Sequence, residues 1–77
     1  MKGDIEMAII YYRSERNVVD LRIFKDTDEF WNWISFATKY EPITILGIYD
    51  KNATYAGMYK DYAKFVKKYR TGQIVND

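Results

Sequence analysis

The chain contains no cysteine and no histidine among its 77 residues. Without cysteine there are no disulfide bonds or thiolate nucleophiles, and without either residue there are no zinc fingers and no histidine-based catalytic triads. The four glycines are scattered and form neither a phosphate-binding loop nor a dinucleotide fingerprint. The serine and threonine hydroxyls have no imidazole to activate them. The sequence therefore predicts a protein that is not an enzyme and that holds no metal and no cofactor.

Long apolar runs and a charge excess of one sign are also missing. No run approaches the ~20 residues that span a bilayer, and the start of the chain lacks the features of a secretory signal. We therefore expect a cytoplasmic protein with no membrane contact. Twelve basic residues against eleven acidic ones give a net charge of +1, which argues against a dedicated nucleic-acid binder. A hydrophobic fraction of 48% favours one folded domain over residues 1–72, with a flexible tail at 73–77.

Hydrophobic periodicity predicts the element order ββαβα. Residues 5–13 are apolar on both faces, residues 18–25 alternate between apolar and polar, and the polar break between them is typical of an antiparallel hairpin. Asp26 is a candidate N-cap for a helix that Pro42 ends, and residues 43–49 form a third strand. A second helix is expected from about Tyr55 to Arg70.

This order predicts a small two-layer α/β (α+β) sandwich. A strand–helix–strand crossover makes the third strand parallel to the second. Because the first strand is apolar on both faces, we place it in the centre of a three-stranded mixed sheet with order 2-1-3. Both helices are expected on one face of the sheet, which leaves the other face open or covered by a partner.

Two groups of residues are candidates for binding a partner protein. Trp31 points well away from the apolar stripe of the first helix, as an interface anchor would, although an exposed single aromatic is also ordinary. On the open face of the sheet we expect Ile10 and Tyr12 beside Phe24, with Arg22 at the border. That face could equally form a homodimer, stack on single-stranded bases, or meet water through its tyrosine hydroxyls.

A basic face on the second helix supports a different function. Its members are Lys60, Lys64, Lys67, Lys68 and Arg70. Such a stripe suits phosphate binding by counterion release. Cations near a helix C-terminus also favour the helix dipole, and an exposed helical face is normally charged, so an ordinary solvated face explains the same pattern.

The composition resembles that of small proteins encoded by bacteriophages and other mobile elements of AT-rich bacteria. The resemblance lies in the short chain, in the many isoleucine, lysine, tyrosine and asparagine residues, and in the lack of catalytic residues. It implies a protein that binds and inhibits or modulates a larger host enzyme or defence protein. The leading hypothesis is therefore a non-enzymatic protein-binding module. A nucleic-acid-binding protein and a homodimeric structural protein are the alternatives.

Overall fold

The computed structural model describes residues 6–69 of the chain. The elements are, in order, β1 (Met7–Arg13), β2 (Val18–Phe24), α1 (Thr27–Tyr40), β3 (Ile43–Asp50) and α2 (Tyr55–Tyr69). The predicted ββαβα order and small α+β fold class are confirmed. Arg70 and the tail expected at 73–77 lie outside the described residues.

The three strands form one sheet in the predicted order β2-β1-β3. β1 pairs with both neighbours antiparallel, so the sheet is antiparallel rather than mixed. β2 and β3 run in the same direction, as the crossover argument predicts. They are not neighbours, however, because β1 lies between them.

The two helices pack on opposite faces of the sheet, and the prediction that they share one face is wrong. On one face, Phe30 and Ile34 of α1 pack with Ile9 and Tyr11 of β1. On the other face, Tyr62 of α2 joins a second group of buried residues, which are Ile10, Val19 and Leu21. The protein therefore has three layers, with a separate hydrophobic core on each side of the sheet.

The composition of β1 explains why both faces are covered. Its central residues 8–11 are all almost completely buried. If either face of such a strand were left in water, the fold would lose ~1.5–3 kcal/mol of hydrophobic stabilisation for each large side chain exposed. Each face therefore needs its own helix.

Local signals fix the two ends of α1. The backbone N–H of Asp28 donates to Oδ1 of Asp26 at 2.8 Å, which confirms Asp26 as the N-cap. At the other end Glu41 is extended (φ −131°, ψ 139°), the conformation favoured before a proline, and the helix stops there.

Candidate interaction surface

Two of the predicted interface residues lie inside the protein. Ile10 is completely buried beneath α2, and Phe24 is buried on the opposite face beneath α1. The open face on which they were expected does not exist, because α2 covers it. Neither side chain can serve as a surface anchor, and a homodimer through that face is excluded for the same reason.

Tyr12 is half-buried, and its polar and apolar parts both have partners within the protein. Its hydroxyl donates to Oδ1 of Asn17 at 2.8 Å, across the hairpin turn. Its ring stacks on Tyr69 of α2 at 4.5 Å between centroids. Asn17 has φ 56°, the left-handed conformation that a tight turn requires and that asparagine tolerates. Tyr12 therefore ties the hairpin to α2.

Trp31 is 54% exposed, as its position outside the apolar stripe predicts. Its ring meets Phe30 edge-on at 4.9 Å. Trp33 lies about 200° away around the helix, on the flank that faces β2, so Trp31 faces the β3 side. Trp31 and Arg22 consequently lie on different flanks of α1 and do not form one surface.

Arg22 lies in an open groove between β2 and α1. Its guanidinium sits over the rings of Phe24 and Trp33, at 5.6 and 5.4 Å from their centroids. We call this feature the aromatic groove; it has a volume of about 630 Å³ and is lined by Arg22, Ile23, Phe24, Glu29, Asn32, Trp33 and Phe36.

The aromatic groove has a fixed floor and an exposed rim. Trp33 is held by Tyr11 and Phe24, with ring centroids at 5.0 and 5.7 Å. Phe36, one turn further along α1, is 61% exposed and contacts the ring of Tyr40. Sequence reasoning missed Trp33 and Phe36 because Trp33 counts toward the core stripe and Phe36 is a single aromatic on a polar flank.

Arg22 has no carboxylate within ion-pair distance among residues 6–69. Glu29 lines the same groove without reaching it. A guanidinium held over two rings, with no ion pair to another residue in the described part of the chain, is available to a carboxylate or a carbonyl oxygen of a bound molecule.

A buried charge lies close to the aromatic groove. Asp20 is 6% exposed, and its carboxylate lies 3.3 Å from Nε of Arg13. Burial raises the pKa of the Tyr11 hydroxyl, and the negative charge of Asp20 raises it further. Arg13 also lies 3.6 Å from Glu41, just beyond α1. These side chains link the strands to the end of α1.

The basic face of α2 is exposed, as predicted, at Lys60, Lys64, Lys67 and Lys68. None of these lysines forms an ion pair with another described residue. Asp61, the only acidic residue of α2, instead accepts a hydrogen bond from the Tyr49 hydroxyl at 2.7 Å.

Within residues 6–69, no group of acidic side chains is arranged to hold a metal ion, and neither helix is long and apolar enough to cross a bilayer. Comparison of the chain with known protein families, with curated proteins and with solved structures gives no match.

Proposed function

We propose that this protein is a non-enzymatic protein-binding module that holds a partner protein in the aromatic groove. The observation that carries the proposal is the placement of Arg22 over Phe24 and Trp33, beside the exposed ring of Phe36. Aromatic and arginine side chains around a concave centre are the composition of binding hot spots.

The roles of the groove residues follow from their surroundings. Phe36 is an exposed apolar anchor, while Trp33 is already packed and loses little conformational entropy on binding. Arg22 would bind a carboxylate or carbonyl oxygen of the partner. By covering a surface of a larger protein, a cytoplasmic module of this kind would act as an inhibitor or modulator.

Affinity capture from a cell lysate treated with nuclease tests this proposal. The bait proteins are the wild type, Phe36→Ala, and the control Tyr59→Ala, which removes an exposed aromatic from α2 instead. We expect one protein to be retained by the wild type and by Tyr59→Ala and to be lost from Phe36→Ala. Retention of the same proteins by all three baits, or of none by the wild type, would contradict binding through the aromatic groove.

Nucleic-acid binding through α2 is the second candidate, and it is favoured by four lysines that form no ion pair with any residue from 6 to 69. Phosphate contacts by these lysines would give affinity that falls steeply with salt concentration. We expect Lys64→Glu combined with Lys67→Glu to abolish binding of a labelled single-stranded oligonucleotide at low salt, with Lys25→Glu as control. Binding that is absent in the wild type, or insensitive to salt, would exclude this function.

A further inference from the structure

The two edges of the sheet differ in how well they are covered. On the β2 edge, residues 18–21 are all buried. β3 is the other edge strand, and half of its eight residues are exposed. An edge strand carries backbone N–H and C=O groups that no strand partner satisfies. The β3 edge is therefore where this sheet can be extended.

β3 lacks two of the features that usually protect an edge strand, although it contains a β-bulge at Leu46. Natural edges carry charged side chains, above all lysine, or an internal proline. From Ile43 to Tyr49 the strand has no charged residue, and Pro42 comes before it rather than within it. An edge strand with neither a charged residue nor a proline along its length is open to pairing with another strand.

A β-bulge brings two exposed isoleucines to the same face of β3. Ile45 pairs with Tyr11 and Ile48 with Ile9, so Leu46 is an extra residue in β3. Residues three apart in a regular strand point to opposite faces, but Ile45 and Ile48 both point to the face that α1 covers elsewhere. Their exposures are 38% and 50%, because α1 leaves this part of the face uncovered.

We infer that β3 is a homodimerisation edge, at which two copies of this chain pair their β3 strands antiparallel about a two-fold axis. The result is a continuous six-stranded sheet. In such a pair the start of one strand lies beside the end of the other. Ile45 and Ile48 of one copy then pack near Ile48 and Ile45 of the second copy. Trp31 lies on the flank of α1 that faces β3.

The charged residues at the two ends of β3 have opposite signs and come together when two copies pair antiparallel. Exposed Glu41 precedes the strand and exposed Lys51 follows it. Antiparallel pairing brings Lys51 of each copy to Glu41 of the other. The two Asp50 side chains end up about 23 Å apart, which is well beyond the Debye length in physiological salt.

This interface lies on the flank of α1 opposite the aromatic groove, so it does not depend on the proposed function. Light scattering after size-exclusion chromatography, at concentrations up to about 1 mM, tests it, because a small edge interface gives modest affinity. We expect the mass to rise with concentration from 9.2 kDa toward twice that value. A mass that stays monomeric throughout would overturn the inference.

Two pairs of variants test the position of the interface. Ile48→Lys places a charge on the edge and should weaken the dimer at least ~10-fold, whereas Phe36→Lys makes the same kind of change at another exposed site and should not. Lys51→Glu should weaken the dimer through repulsion by Glu41, and Lys25→Glu should leave it unchanged. Circular dichroism checks that each variant is folded. A dimer unaffected by Ile48→Lys, or equally weakened by Phe36→Lys, would overturn the inference.

Discussion

Among the charged side chains, Asp20 is the one whose removal should lower the free energy of unfolding most. Its carboxylate is buried beside Arg13 and Tyr11. Asp20→Ala leaves the arginine without its buried counter-charge, and since Arg13 keeps some contact with water, we expect a loss of ~2–3 kcal/mol. Urea denaturation measures the free energy of unfolding. Asp28→Ala, at an exposed position, is the control, and a loss no larger than that of the control would contradict the role of Asp20.

Tyr49 gives a prediction about alkaline pH. Burial and the hydrogen bond to Asp61 raise the pKa of its hydroxyl from 10.0 to about 12. Because the folded pKa lies above the unfolded one, the stabilisation is fully present below about pH 10 and is lost as pH rises through about 12. Tyr49→Phe should lower the free energy of unfolding by about 1 kcal/mol at neutral pH and make the alkaline decline shallower.

Urea denaturation at about pH 7, 9 and 11.5 measures this effect. Tyr59→Phe is the matched control, since the Tyr59 side chain is exposed and lies on the same helix as Asp61. An alkaline decline of equal steepness in the wild type and in Tyr49→Phe would show that the hydroxyl is not held by Asp61.

At the scale of elements, the N-cap of α1 is the most direct local test. Asp26 satisfies a free N–H of the first turn, and Asp26→Ala should destabilise the protein by about 1 kcal/mol, or ~4–8 °C in Tm. Asp26→Asn keeps an oxygen acceptor and should cost much less. Thermal unfolding compares the two, and equal losses would mean that capping does not determine where α1 begins.

The elements and their order could be predicted from the sequence because each has a local signal. Asp26 and Pro42 bound α1, and a β1 that is apolar on both faces predicts the central position. The side of the sheet on which α2 packs has no such signal. A connection from strand to helix to strand is right-handed, which fixes the face covered by a helix that lies between two strands of one sheet. No predicted strand follows α2, so this rule does not decide which face α2 covers.

The packing side of α2 explains only one of the two misplaced interface residues. Ile10 was expected to be exposed because both helices were placed on the other face, and α2 buries it. Phe24 was assigned to the wrong face of β2: it pairs with Met7 and lies beneath α1.

Trp31 and Arg22 are both exposed, as the periodicity of α1 and the alternation of β2 predict. Arg22 pairs with Ile9, however, so it lies on the α1 face and not at the border of the face that α2 covers. The aromatic groove could not be predicted, because it forms only where the outer flank of α1 meets the edge of β2.

For the molecule as a whole, α1 separates two surfaces of different character. The aromatic groove lies on its β2 flank, and the apolar edge of β3 lies beyond its other flank. A dimer formed through β3 would carry two aromatic grooves. It would therefore bind a partner with two sites more tightly than one groove does, through increased effective concentration.

The affinity of the captured partner for Phe36→Ala, measured by isothermal titration calorimetry beside wild type and Tyr59→Ala, tests binding through the aromatic groove most directly. Truncation of a hot-spot aromatic costs at least ~2 kcal/mol, so Phe36→Ala should bind about 30-fold more weakly than the wild type. Tyr59→Ala should bind within about 2-fold of it. Equal affinities for all three proteins would contradict binding through the aromatic groove.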